Sequence, residues 1–249
     1  MTVLPLMPPQ QSASWNGVLD LYEHLDTGWT LIGGQLVHLH CAERGQFAVR
    51  PTNDSDTVID VRADPKFLHT FTKTLTDIGF KSAGISAEGR QHRWVRDQAS
   101  IDVLRPEGIG ERASERQGVT GSPTLPTEDG TQALQSSETV AVSVDGREGF
   151  VRRPNLVGTL VVKAAAHTNP GDLDPRRHRR DVVVLAGLIS AGDFAAEELG
   201  KKGRQRLRAV VSAIASDREL LLEIPERADS IGRLRIAAKL DGWLDPTLG

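Results

Sequence analysis

Leu31-Ile32-Gly33-Gly34-Gln35 stands shortly ahead of Arg50-Pro51-Thr52-Asn53-Asp54-Ser55-Asp56, so a glycine pair precedes two carboxylates spaced two apart. Glycine has no Cβ, and the backbone at Gly33-Gly34 can turn sharply and present its N–H groups to a phosphate at the start of a helix. Side chains two apart on a strand point the same way, which lets Asp54 and Asp56 grip a divalent cation together. A third carboxylate, Asp102, lies between Ile101 and Val103. Those neighbours turn to the apolar side, leaving Asp102 to join the pair if the two strands are adjacent. Three converging carboxylates repel one another strongly, and one or two Mg²⁺ ions would relieve that repulsion. The chemistry expected is therefore metal-assisted handling of a phosphorylated substrate.

The elements that must position these groups are readable from periodicity. Residues 15–25 place Val18, Leu19, Tyr22 and Leu25 at helical spacing behind Ser14, a residue type able to cap the helix. Residues 29–32 form a short buried strand, residues 34–43 a helix, and residues 52–61 a second strand, giving a strand-helix-strand unit. Residues 65–78 carry Phe67, Leu68, Phe71, Leu75 and Ile78 on one helical stripe that should cover a sheet face. A hairpin is expected with arms 92–96 and 99–104, turning at Asp97-Gln98. Residues 106–138 have many turn signals and little apolar periodicity, and read as a long loop, either a lid or a surface excursion. Residues 139–144 alternate like a strand at an edge of the same sheet.

From Pro154 the pattern becomes helical. A first helix through Lys163 and His167 stops at Asn169-Pro170-Gly171, a second starts at Asp174-Pro175 and runs to about 189, and others are expected at 203–214 and 231–240. Two units follow: residues 1–153, and a helical unit over 154–249.

Composition narrows the class. The 249 residues suffice for a substantial core, and no apolar run is long enough to span a bilayer. Residues 1–10 lack the basic start and apolar core of a secretory signal, so a soluble, cytoplasmic protein is expected. The single cysteine, Cys41, can form neither an internal disulfide nor a cysteine zinc site, and reads as a small core residue. The formal net charge of -3 hides an asymmetry, with -7 over residues 1–150 and +4 over residues 151–249. Basic residues concentrate at 176–180 and 201–208, where they would attract a polyanion or simply form solvated helix faces.

Taken in order, Gly33-Gly34, Arg50-x-Thr52-x-Asp54-x-Asp56, Ile101-Asp102-Val103, and Lys163 ahead of Arg177-His178-x-x-Asp181 resemble the four-block signature of AbiEii-type nucleotidyltransferases, a branch of the DNA polymerase beta superfamily. The likeness spans residues 29–188. It departs from the family pattern at Val184, where many members carry a second aspartate, and at Gln35, where they carry a serine. The resemblance implies an α+β fold, with a polymerase-beta-like domain of mixed sheet and flanking helices followed by a helical C-terminal domain. It implies transfer of a nucleoside monophosphate from a nucleoside triphosphate to an acceptor hydroxyl, the acceptor being RNA, in particular the 3′ end of tRNA. It further implies the toxin half of a toxin-antitoxin pair, with a cognate antitoxin as partner.

On that resemblance, Asp54, Asp56 and Asp102 hold Mg²⁺, and Asp102 also helps to activate the acceptor. Gly33, Gly34, Gln35, Arg50, Thr52 and Arg177 contact the nucleotide, and Lys163 and Asp181 complete the catalytic set. Asp181 also falls on the apolar stripe of Val184, Leu185 and Leu188, where an unpaired carboxylate is costly, so Arg177 or Lys163 is its expected partner and a plain helix-helix tether is the competing reading. His178 is expected to face solvent, Asp60 to be solvated or salt-bridged, and Trp94 to be core or to stack on a base. Phosphatase and sugar-nucleotide readings of Asp-x-Asp fit poorly, because the apolar run follows the pair and the glycine arrangement differs. Two alternatives remain: the same chemistry on a small molecule such as an aminoglycoside, and a non-catalytic nucleotide-binding protein of this fold.

Overall fold

The computed structural model describes residues 1–240 except 49, 170, 171, 173, 195–198 and 225–228. The Pro170-Gly171 part of the expected helix stop, and residues 241–249 of the expected helical unit, lie outside the described residues.

The central sheet is mixed. It runs β2 (Trp29–Ile32), β3 (Ser55–Ile59), β6 (Ala99–Pro106), β5 (Arg93–Arg96) and β4 (Lys81–Ser82), with β7 (Leu125–Thr127) pairing along the end of β6. β2 and β3 are antiparallel, β3 and β6 parallel, and β5 and β6 form the expected hairpin. That hairpin turns at Asp97, whose φ of 52° suits a two-residue turn. One sheet face carries Leu31, Ile59, Ile101 and Val103 and packs on α1 (Pro9–His24) and α3 (Phe67–Asp77) in a core that includes Trp15, Trp29, Phe71 and Trp94. The other face carries Ile32, Val58 and Leu104, which meet Ala133 of α5 (Gly130–Gln135) and Val162 of α6 (Leu156–His167). Trp94 is 1% exposed and belongs to the first core, so the base-stacking reading falls away.

α1 begins six residues earlier than its apolar periodicity suggests, because Pro9 at the first helical turn has a φ already suited to a helix and no N–H to waste. Ser14 is therefore interior rather than a cap. Its hydroxyl donates to the Asn53 carbonyl at 2.7 Å and accepts from the Ser100 N–H at 2.9 Å, pinning α1 to the approach to β3 and to β6.

Residues 106–138 are not an uncovered loop. They hold α4 (Glu111–Ser114), β7 and α5, with Thr124 and Ala133 fully buried. Elements of three to six residues are too short to show a period, which is why the sequence read as loop. Residues 139–144 also depart from expectation. They fall in β8 (Ser137–Val144), which pairs with β9 (Arg147–Pro154) and β1 (Thr2–Val3) in a separate three-stranded sheet. The Asp145-Gly146 turn, both residues at positive φ, was a legible hairpin signal. This second sheet is fastened to the edge of the first by Arg152 Nε to the Trp29 carbonyl at 3.0 Å and Ser137 Oγ to Thr30 Oγ1 at 2.9 Å.

After β9, α6 is followed by α7 (Pro175–Gly187), α8 (Lys201–Ala215), α9 (Arg218–Glu223) and α10 (Ser230–Ala237). They share one apolar core that also takes in Val37 and Cys41 of α2 (Gly33–Glu43). Among the described residues no helix is long and apolar enough to cross a membrane.

Candidate active site

Residues along β3 and β6 alternate between the two faces. Thr57 and Ile59, like Ile101 and Val103, go to the α1 side, which sends Asp56, Val58, Asp102 and Leu104 to the other. Parallel pairing places Asp56 directly beside Asp102. Asp54 lies just ahead of the first residue of β3. One carboxylate oxygen from each of Asp54, Asp56 and Asp102 lies within 4.8 Å of the others. Thus the three acids expected to meet do meet, on one face.

Gly33 opens α2 directly after β2, with φ of 73°. A Cβ there would overlap the Asp56 carboxylate, and a Cβ on Gly34 would come within 2.7 Å of Thr52 Oγ1. Both glycines are thus required for the helix start to lie against the acidic strand, and Gly33 also by its dihedral. Thr52 is buried and its hydroxyl donates to Asp54 Oδ1 at 3.3 Å. Gln35 is fully buried. Its Oε1 accepts from Ser55 Oγ at 2.6 Å, and its amide nitrogen finds no partner among the described residues. Gln35 therefore ties α2 to β3 from inside, which corrects its expected contact with a triphosphate.

The electrostatics match the geometry. Loss of hydration, followed by the charges of Asp54 and Asp102, pushes the Asp56 carboxyl up to about 7, against the weaker pull of Lys163 and Arg93. A group that holds its proton near neutrality next to two carboxylates is suited to a cation. The donor set is all carboxylate oxygen, the kind that Mg²⁺ and Ca²⁺ prefer, so the residues fit a hard divalent ion.

Sequence reasoning missed the cation already there. Arg93 donates from Nε to Asp102 Oδ1 at 2.8 Å and from Nη2 to Asp102 Oδ2 at 2.7 Å, while Nη2 also reaches Asp54 Oδ2 at 3.0 Å. The signal was available, since a turn at Asp97-Gln98 sets Arg93 opposite Asp102 across the hairpin.

Behind the acids lies a second cluster. Lys163, 2% exposed on α6, donates to Asp181 Oδ2 at 2.8 Å. Arg50 donates to both oxygens of the same carboxylate, Nε at 3.2 Å and Nη2 at 3.1 Å. Burial works to raise the Asp181 pKa, but the charge of Lys163 and the hydrogen bonds and charge of Arg50 outweigh it and hold the group ionised below the usual range. Arg50 is placed by His38, whose Nε2 lies 2.6 Å from the Arg50 carbonyl. Lys163 is thus the partner expected for Asp181, with Arg50 the second.

Arg177 is not that partner. It donates to Asp172 Oδ2 at 2.8 Å. His178 is 8% exposed rather than solvent-facing, with Nε2 at 2.6 Å from the same Asp172 oxygen. The helix turns it inward, a consequence of Asp181 and Val182 facing the core one turn on. Burial, then the charge of Lys163, lowers the His178 pKa to about 4, despite Asp172. A histidine whose pKa is depressed in the folded state is neutral there but charged when unfolded, so its contribution is present above about 6.5 and lost as pH falls toward about 4. His38, His40 and His167 are lowered in the same sense, by burial first. Between pH 7 and 4.5 this histidine contribution lowers the melting temperature while Asp56, in metal-free solution, works the other way, so it is read as the difference between wild type and His178→Gln. That difference should change as pH falls, and a difference that stays constant would exclude His178 as a contributor.

Many side chains of the two basic stretches are paired within the chain. Arg176 and Arg180 reach Glu223, Arg179 reaches Asp217, and Lys202 and Arg206 reach Asp129. Arg206 also lies 3.7 Å from Glu107 and 3.5 Å from Glu128. Much of the positive charge expected to draw a polyanion is spent on holding helices to one another and α8 to the β6–α5 segment. Asp60, by contrast, behaves as expected, accepting from its own strand end at the Arg62 N–H and lying 3.6 Å from the Arg62 side chain.

No family model matches the chain, and no curated protein is similar to it at a significant level. Among solved structures, the chain is similar to the crystal structure of an antigenic nucleotidyltransferase-like protein from Paracoccidioides brasiliensis, at 14% identity over 91% of this chain and 94% of that one, with a TM-score of 0.49.

Proposed function

We propose that the protein is a metal-dependent nucleotidyltransferase that moves a nucleoside monophosphate from a nucleoside triphosphate to an acceptor hydroxyl. The observation that carries this reading is the convergence of Asp54, Asp56 and Asp102 on one sheet face, against a helix start that only glycine can occupy. A divalent cation bound by these carboxylates would neutralise the triphosphate and acidify the acceptor hydroxyl. The N–H groups that open α2 belong to Gly33 and Gly34, which lie against Asp56 and Thr52, and a helix start of this kind suits phosphates. Asp102, on the same face as Asp56, would serve as the base for the acceptor hydroxyl. The acceptor oxygen bonds to the α-phosphorus, the bond to the bridging oxygen breaks, pyrophosphate leaves, and Asp102 takes the hydroxyl proton. Arg50 and Lys163, fixed by Asp181, act through their field on Asp56 rather than as free phosphate ligands.

The resemblance in sequence favours tRNA as acceptor and a toxin role with a cognate antitoxin. The pairing of Arg176, Arg179, Arg180, Lys202 and Arg206 inside the chain favours a second reading, in which the acceptor is a small hydroxylated molecule that needs no polyanion surface. Incubation with Mg²⁺ and each α-labelled nucleoside triphosphate, offered total tRNA or a panel of aminoglycosides, separates the two by where the label appears. A melting temperature unmoved by every nucleoside triphosphate with Mg²⁺ would count against all catalytic readings, because a ligand that binds only the folded state must stabilise it.

A further inference from the structure

Arg93 spans the space between Asp54 and Asp102, and both oxygens of Asp102 accept from it. Its hydrogen bonds to Asp102, against the cost of its own burial, hold it firmly protonated, so it is a permanent cation inside an acidic cluster. A divalent ion shared by the three carboxylates needs oxygen lone pairs that this guanidinium occupies, and two cations a few ångströms apart repel. The other nearby cations cannot answer for it, since Lys163 and Arg50 are both committed to Asp181. Arg93 alone among the three combines contact with the metal-binding carboxylates and a side chain that is 45% exposed, free to swing outward without leaving a buried hole. Its planar fork suits a phosphate as well as it suits a carboxylate.

We propose that Arg93 is a built-in counter-cation, which holds Asp54 and Asp102 until a divalent ion arrives and then passes its guanidinium to the triphosphate, so that metal and nucleotide bind cooperatively. This rests on the reading of the site as a nucleotidyl-transfer centre. Arg93 is a competitor for the metal and a ligand for the nucleotide, and each ligand removes the obstacle to the other. Coupling of this kind is reciprocal, so the nucleotide must raise metal affinity by the same factor that the metal raises nucleotide affinity.

The test is Mn²⁺ binding, followed by the paramagnetic signal of the free ion, with and without a non-hydrolysable α,β-methylene nucleoside triphosphate, the Mn²⁺ held by the analogue alone being measured without protein and subtracted. Wild type should bind Mn²⁺ weakly alone and about tenfold more tightly with the analogue, within the usual range of such couplings. Arg93→Ala and Arg93→Gln should bind Mn²⁺ alone about tenfold more tightly than wild type, with the gain from the analogue reduced to what direct contact between metal and triphosphate supplies. Arg93→Lys, which keeps the charge without the fork, should fall between. Mn²⁺ affinity that is unchanged or weaker in both neutral variants, or an undiminished gain from the analogue, overturns the role of Arg93 and leaves the transfer reading standing. Failure of wild type to bind Mn²⁺ in either condition removes both. A purely structural Arg93 would shift melting temperature without altering the coupling.

Discussion

Asp56→Asn should abolish nucleotidyl transfer and, in metal-free solution, make the protein more stable. Removing one group that stabilises a developing charge commonly costs about 10²–10³ in rate, and Asp56 is both a metal ligand and the centre of its cluster, so a loss of about 10³ is expected. The gain in stability has a different origin. Asp56 carries a pKa of about 7 in the folded protein, raised from the ordinary carboxyl value. A raised folded-state pKa gives a contribution that is intact below the unfolded value and lost as pH climbs through the folded one. The Asp56 contribution to metal-free wild type should therefore be lost between about pH 4 and 7, and the site remain penalised above it. The neutral amide escapes that penalty.

Melting curves without metal at pH 5 and pH 8 should show a small difference at the lower pH and a rise of several degrees for the variant at the higher. Each kcal/mol moves the midpoint by roughly 2–4 °C in a chain of this size. Mg²⁺ should reverse the order at pH 8, stabilising wild type and leaving Asp56→Asn unmoved. Wild-type Mg²⁺ affinity should itself rise with pH up to about 7, where the competing proton leaves. A variant that is less stable than wild type at pH 8 without metal would refute the account of Asp56 as a repelled carboxylate.

Asp181→Ala should be the most damaging single change to stability. It strands the Lys163 ammonium, with a side chain 3% exposed on α6, and frees Arg50 from the same anchor. Removing one partner of a buried ion pair costs about 3–5 kcal/mol, because the remaining charge has neither water nor a counter-ion. Urea unfolding should register that loss, and a variant within about 1 kcal/mol of wild type would show that Lys163 is solvated or neutral. Lys163→Met combined with Asp181→Leu should recover most of the stability, since apolar replacement of a buried pair is often neutral. The double variant then answers whether Asp181 is a tether or part of the active site. If it folds well and transfers nucleotide normally, the pair only joins α6 to α7. If it folds well and is inactive, the field of Lys163 on Asp56 and the placement of Arg50 are needed for catalysis.

The site was legible where local rules decided it. The Asp-x-Asp spacing, the apolar neighbours of Asp102 and the glycine pair each specify a face or a dihedral, and the structure keeps all three. The Arg93 contact was equally local, fixed by hairpin register, and could have been counted from the turn. The second cluster was only half legible. Asp181 on an apolar stripe demanded a partner, and Lys163 was among those named, but Arg50 lies 131 residues away along the chain and no spacing rule connects them. Arg177 shares a helix face with Asp181 but was the wrong choice, because Asp172 receives it and the Asp181 oxygens are already taken by Lys163 and Arg50.

Charge composition misled for a related reason. The basic stretches at 176–180 and 201–208 are visible as sequence, but whether an arginine faces solvent or a glutamate from another helix depends on packing. Likewise, residues 106–138 and the β8–β9 pair are held by contacts with elements far away in sequence, so their own short apolar content understated their order. What the amino-acid sequence by itself determined is the set of alternating and turning positions that put three carboxylates and a glycine start on one face, since strand alternation and glycine dihedrals are properties of adjacent residues. Only the tertiary structure decided which cations balance those acids, Arg93 at the cluster and Lys163 with Arg50 behind it, because ion pairing depends on distance in space and on the water that packing excludes.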